Sequence, residues 1–185
     1  LVQTQKLTLA SLAQNARAKT TFKHKLKRVF RFFANHRVEP EIAFKPFARK
    51  LLKRRKKRLI VAMDWTETNG LHTLALVASF GSRSVPLLWT TMKCKYKKQT
   101  KTEKRLLETF AGWLPKKAKV VILADRGFGK TDLAKHCDSL GLDYLIHIKP
   151  DVHGKCKRYT GLLRKYEIQP GRAHVLRNVA FSKKD

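Results

Sequence analysis

Acidic residues are scarce. The 185-residue chain carries 13 Asp plus Glu against 42 Lys plus Arg, for a formal charge of +29 and a pI near 10.6. That balance lies far outside the range of a typical metabolic enzyme and points to a polyanionic partner. Nucleic acid comes first, because each phosphate neutralised by Lys or Arg releases condensed counterions; an anionic membrane surface or a ribosome-like scaffold would answer to the same charge. No apolar run reaches the ~18 residues a membrane-spanning helix needs, so no membrane span is expected. Cysteine is nearly absent. Cys94, Cys137 and Cys156 are odd in number and form no Cys-x-x-Cys pair, and no secretory leader opens the chain, which favours a reducing cytoplasm over a disulfide scaffold. The first residue is Leu1 and the last stretch, Phe181 to Asp185, stops just after an apolar run, so both ends read as cut. Hydrophobic residues make up 43%, with ten Phe, enough for a folded core and too much for a disordered tail. The length suits one domain, or a small domain beside a partial larger one.

The charge is uneven. Up to Arg58 there are 18 basic and 2 acidic residues, and beyond it 24 and 11. The apolar residues of the first third keep a helical period: Leu9, Leu12, Ala13 and Ala16; Phe22, Leu26, Val29, Phe30 and Phe33; Phe44, Phe47, Ala48, Leu51 and Leu52. Three amphipathic helices are expected. Lys23, Lys25, Lys27, Arg28 and Arg31 fall on their outward faces, and the third helix runs into Lys53, Arg54, Arg55, Lys56, Lys57 and Arg58. A charge run usually just solvates a helix. This excess is of one sign, however, where solvated faces usually mix signs and form i,i+4 pairs, so phosphate contact is the expectation. No diagnostic helix-turn-helix turn accompanies it. The basic run ends where the hydrophobic period changes, which sets the expected boundary of a basic helical DNA-binding region at residues 1–58.

Beyond the boundary the pattern becomes that of a sheet. Residues 59–63 are wholly apolar and end at Asp64; Asn69-Gly70 is a strong hairpin signal before a strand from Leu71 to Ser79. Gly81-Ser82 makes a further turn, and Val85 to Met92 carries Pro86, which suits an edge strand. Thr100 and Glu103 have capping-box spacing ahead of a helix carrying Leu106, Leu107, Phe110, Trp113 and Leu114 up to Pro115. A short strand, Val120 to Leu123, then leads into Asp125, a glycine-rich turn, a helix carrying Leu133, Cys137 and Leu140 closed by Gly141, and a last strand from Asp143 to Ile148. Three meandering strands, helix, strand, helix, strand describe an α/β mixed sheet of ribonuclease-H-like order.

In that topology the first and fourth strands lie side by side and point the same way, so Asp64 and Asp125, each ending an apolar strand, should meet. Adjacent carboxylates repel unless a cation or proton bridges them. Hard Mg²⁺ takes charged oxygen ligands, and with a third acid such a pair could hold two ions ~4 Å apart for phosphodiester chemistry. A lone Asp in this position more often just caps a turn; two in matching contexts, in so basic a chain, favour the metal.

The stretches Ala62-Met63-Asp64-Trp65-Thr66-Glu67, Pro86-Leu87-Leu88-Trp89, Leu123-Ala124-Asp125-Arg126-Gly127-Phe128-Gly129 and Tyr144-Leu145-Ile146-His147-Ile148-Lys149 resemble the DDE transposases of bacterial insertion sequences, in the group with a β-rich insertion in the catalytic core. The resemblance spans about residues 20 to 185. It implies that Asp64 and Asp125 are catalytic metal ligands for Mg²⁺ or Mn²⁺, and that the activity is cleavage and strand transfer of double-stranded DNA at element ends and target. It implies a homodimer in the synaptic complex and a bacterial cytoplasmic, nucleoid-associated location. The family's third acid, a Glu within Tyr-x-x-Arg-x-x-x-Glu on a helix after the insertion, has no counterpart here; Arg164-Lys165-Tyr166-Glu167 has the wrong order, and Glu167 reads as a surface residue. Residues 59–151 then form the first part of the core and 152–185 the start of the insertion, truncated, and the chain alone is expected to be catalytically incomplete.

Two other readings compete. Ala124-Asp-Arg-Gly127-Phe-Gly129-Lys130-Thr131 is one residue from a phosphate-cradling P-loop between strand and helix, but Ala124 replaces its first glycine and Asp125 brings negative charge to the phosphate site. Under the transposase reading Arg126 and Lys130 are DNA-phosphate contacts instead. The other reading is a non-catalytic, basic nucleic-acid-binding protein whose acids are structural. His153-x-x-Cys156 lacks a second pair for a four-ligand metal site and reads as loop. Trp65, Trp89 and Trp113 read as core, and His72, His136 and His147 lie in secondary structure without catalytic company.

Overall fold

The computed structural model describes residues 8–37, 39–53, 58–80, 83–93, 99–115 and 118–182. Arg54, Arg55, Lys56 and Lys57 of the basic run, Cys94 and the Gly81-Ser82 turn lie outside them. The chain divides into two compact units, residues 1–43 and 44–185.

The first unit holds α1 (Leu9–Gln14), α2 (Phe22–Phe33) and the start of α3 (Pro40–Lys53). Thr8 caps α1, its hydroxyl accepting the Ser11 N–H, as an N-cap threonine should. The expected apolar stripe of α2 is present yet unburied: no residue of α2 is buried, and Phe22, Phe30 and Phe33 are exposed. Helical period records only that one face is apolar; whether that face is covered depends on neighbours that a local pattern does not contain.

The second unit is built on a five-stranded sheet in the order β3-β2-β1-β4-β5: β1 (Leu59–Thr68), β2 (Leu71–Phe80), β3 (Arg83–Met92), β4 (Val120–Ala124) and β5 (Asp143–Ile146). The first three strands are antiparallel, while β4 and β5 run parallel to β1. This is the mixed α/β sheet expected of a ribonuclease-H-like core. Asn69 (φ 52°) and Gly70 (φ 72°) both adopt positive φ, which the tight turn between twisted strands requires and which Asn-Gly supplies at least cost. β3 is an edge strand, and a register shift at Leu76/Val77 accommodates Pro86 opposite Val77.

Alternation decides which face is covered. Val61, Met63, Leu74, Leu76 and Ile122 are fully or almost fully buried with Leu106, Leu107 and Phe110 of α4 (Gln99–Ala111) and Leu133 and Cys137 of α5 (Thr131–Ser139). Each buried large side chain contributes roughly 1.5–3 kcal/mol. On the opposite face of β1, β4 and β5, Ile60, Leu123 and Leu145 are 52%, 41% and 64% exposed. Gly141 ends α5 as expected: its φ is +66°, its N–H donates to the Asp138 carbonyl, and the Leu142 N–H donates to that of Cys137, a Schellman closure. A separate antiparallel sheet, β7-β6-β8, follows, from β6 (His153–Cys156), β7 (Tyr159–Leu162) and β8 (Ala180–Ser182). His153 and Cys156 therefore belong to a strand rather than a loop.

Five further expectations are corrected. β1 does not end at Asp64 but continues to Thr68, because β2 remains paired with it through Thr68↔Leu71 after β4 has stopped. β5 ends at Ile146, two residues early, since Ala124 is the last β4 residue it can pair with. His147 accordingly lies beyond the strand rather than within it. α4 ends at Ala111, with Trp113 and Leu114 in the turns that follow. Thr100 lies inside α4, and Glu103 does not reach back to close a capping box: its carboxylate is used elsewhere.

Burial pushes the Cys137 thiol up to about 11, with Asp138 adding to the rise. Its thiolate is then negligible at neutral pH, and thiolate is the reactive form. A thiol reagent at pH 8 should label half-buried Cys156 readily and Cys137 only on unfolding; mass-spectrometric mapping after brief labelling checks this, and Cys137 modified in the folded protein would contradict it.

Candidate active site

Asp64 and Asp125 come together through backbone register. The last parallel pair is Met63↔Ala124, so the next residue of each chain segment is an aspartate. Both follow extended backbone, Asp64 within β1 and Asp125 at φ −76°, ψ 180° just past β4. Parallel strands lie ~4.8 Å apart, which puts the two Cα atoms at about that spacing. Both side chains are exposed, on the same sheet face as Ile60, Leu123 and Leu145.

Each carboxylate is held by one oxygen and free at the other. Asp64 Oδ1 accepts the Trp65 N–H at 2.8 Å, and Asp125 Oδ1 accepts the Gly127 N–H at 2.8 Å, capping the single 3-10 turn Arg126–Phe128. Neither Oδ2 has a protein partner among the described residues. Two exposed carboxylates at neighbouring strand positions suit a hard divalent cation. Among the described residues no group of three His, Cys, Asp or Glu is gathered closely enough to hold a metal, so no third such side chain joins the pair there. Glu167 is exposed and outside the sheet.

Among the described residues the buried acid of the unit is Glu103, 1% exposed, on the covered face. Its Oε1 accepts the Trp65 Nε1–H at 3.2 Å, and its Oε2 lies 3.2 Å from the Lys130 ammonium, which also donates to Thr100 Oγ1 at 3.0 Å. Lys130 is therefore not a free cation offered to DNA. This also weakens the phosphate-cradle reading, in which Lys130 and the Gly127 N–H would have to face a phosphate; one is tied to Glu103 and the other to Asp125. Glu103 escaped the sequence reading because a Glu in the opening turns of a helix is ordinarily a solvent-facing or capping residue. Its partners lie 38 and 27 positions away, and no local pattern shows them.

The remaining cations are mostly open. Lys23, Lys27, Arg28 and Arg31 of α2 are exposed, Lys25 is half-buried, and none has an acidic partner among the described residues. Arg126 is exposed and unpaired in the same sense, while Arg58 lies 3.4 Å from Asp143. Lys53 belongs to a groove the sequence reading missed, about 480 Å³ and lined by Lys45, Pro46, Arg49, Lys50 and Lys53 of α3. The spacing of these cations at i, i+4, i+5 and i+8 places them on one helix face, a signal that was available. Trp113 is buried and Trp65 and Trp89 half-buried, with Trp89 edge-on to Phe44 at 4.6 Å, as core aromatics pack. His136 sits 3.3 Å from Glu108 and His72 3.5 Å from Glu67, away from the aspartate pair.

No curated protein matches the sequence. Residues 55–181, well over half of the chain, match the family model described as the transposase DDE domain. That span includes Asp64, Asp125, the five-stranded sheet and all of the second sheet but Ser182. The strand order, the two carboxylates at its centre and this match agree, and the chain belongs to the transposase DDE domain family.

Proposed function

We propose that the chain is the DNA-binding part and the first portion of the catalytic core of a bacterial insertion-sequence transposase, in which Asp64 and Asp125 bind Mg²⁺ or Mn²⁺. The observation that carries this is the register that makes them neighbours on an open sheet face with both Oδ2 atoms unengaged. A bound divalent ion supplies charge neutralisation at the attacking and departing oxygens of a phosphodiester. The chain's own residues do the rest. Asp64 and Asp125 present oxygens at a fixed spacing, Arg126 lies one residue from the pair to meet a backbone phosphate, and the cations of α2 and the α3 groove hold double-stranded DNA at transposon ends and target. Residues 1–58 serve as the basic binding region and 152–185 begin a β-rich insertion. Full activity requires a third carboxylate and a homodimeric synaptic complex at the bacterial nucleoid; with two acids only, this chain binds DNA without cutting it.

Calorimetric titration with Mg²⁺, paired with DNA binding by fluorescence anisotropy, tests the reading. Asp64→Asn and Asp125→Asn should each abolish the metal heat and leave DNA affinity within about threefold, since neither removes a cation. Metal heat that persists in both variants would refute the assignment. Supercoiled plasmid should stay intact with this chain in Mg²⁺.

A further inference from the structure

We infer that Glu103 is a positioning residue: it ties the strand carrying Asp64 to the loop carrying Asp125, and so sets the separation at which the pair receives a metal. The inference rests on the reading of that pair as metal ligands. The need for a tie follows from the sheet. Ladder bonds join β1 to β4 only as far as Met63↔Ala124, so the two aspartates sit one step beyond the last pairing. Like charges at that spacing repel when no cation lies between them. Beyond that step, nothing in the ladder opposes the separation of β1 from the Asp125 loop.

Glu103 supplies the missing link from the covered face. Trp65 directly follows Asp64, and strand alternation points it to the face opposite the carboxylates, where its Nε1–H reaches Glu103 Oε1 at 3.2 Å. Lys130 closes the loop that starts at Asp125 and is the residue before α5; its ammonium lies 3.2 and 3.4 Å from the two Glu103 oxygens. One carboxylate thus grips both segments. Glu103 is 1% exposed, so water does not compete for it, and charge-assisted bonds in such surroundings are the strong kind. Thr100, one helical turn earlier, takes a further proton of the same ammonium at 3.0 Å and keeps it in place. Gly129 lets the loop close against the segment just after β5: a Cβ there would stand 3.1 Å from the His147 carbonyl oxygen.

The experiment is Mn²⁺ binding to the folded chain, followed by the electron paramagnetic resonance signal of the free ion, at a temperature well below the melting transition of every variant. Asp64→Asn sets the baseline for loss of the site. Glu103→Gln keeps an acceptor for Trp65 but removes the negative charge and the nearer Oε2 acceptor from Lys130; Trp65→Phe removes only the indole donor. Each should weaken Mn²⁺ binding on the order of 10-fold, the usual consequence of disturbing groups that orient metal ligands. A residue that merely stabilises the fold would lower the melting temperature and leave the affinity of the folded protein unchanged. Wild-type affinity in either variant, with the Asp64→Asn loss in place, overturns the clamp alone, because a clamp needs both arms. Binding that Asp64→Asn leaves intact overturns the reading of the pair, and the clamp with it.

Discussion

Duplex DNA binding should weaken by roughly 10³–10⁵-fold between about 50 and about 200 mM salt, the range for proteins that neutralise six to ten phosphates. The cations to do so are present and unspent. Lys23, Lys27, Arg28 and Arg31 are exposed and without acidic partners among the described residues, the α3 groove adds Lys45, Lys50 and Lys53, while its Arg49 already donates to the Trp113 and Gly112 carbonyls, and Arg126 stands beside the aspartate pair. A cation already paired within the protein releases fewer counterions when DNA arrives, which makes Arg58 and Lys130 poorer contributors. The slope of log affinity against log salt should therefore lie near −0.9 per phosphate contacted, and the triple change Lys27→Ala, Arg28→Ala, Arg31→Ala should make it shallower by about 2.7. Anisotropy titrations across a salt series measure this directly. A slope near zero would show that the +29 charge is not used on DNA.

The second large effect concerns stability. Lys130→Ala should cost about 3 kcal/mol, the low end for removing one member of a buried ion pair, because Glu103 would be left charged, 1% exposed and bonded only to the Trp65 indole. For a chain of this size that lowers the melting temperature by roughly 6–12 °C. The reverse change should be mild. In Glu103→Gln the stranded group is Lys130, whose side chain is 36% exposed and can turn to water, so about 1 kcal/mol is expected. Thermal unfolding of the two variants side by side gives the comparison. Equal losses would mean that the asymmetry of burial does not govern the pair.

Much of this molecule was legible in the order of its residues. The Asn69-Gly70 turn, the edge position of the strand carrying Pro86, the closure of α5 at Gly141 and the parallel pairing of the strands leading to Asp64 and Asp125 each follow from local chemistry or from a topological rule with few alternatives. Strand ends were less legible. β1 runs four residues past Asp64 and β5 stops two residues short of Ile148, because a strand lasts as long as its neighbour offers partners, and the neighbour's length is written elsewhere in the chain.

The sequence by itself determined the basic character, the strand order and the placement of Asp64 and Asp125 at neighbouring positions of two parallel strands, since charge, hydrophobic period and turn residues act over a few positions at a time. Only the tertiary structure decided what Glu103 and Lys130 do. At their local spacing they read as half of a capping box and a phosphate-binding cation, yet they are brought 3.2 Å apart beneath the aspartate pair. Burial settles the matter physically: a carboxylate shut away from water must find donors within reach, and which donors lie within reach is a property of the packed sheet and helices, not of any stretch of sequence.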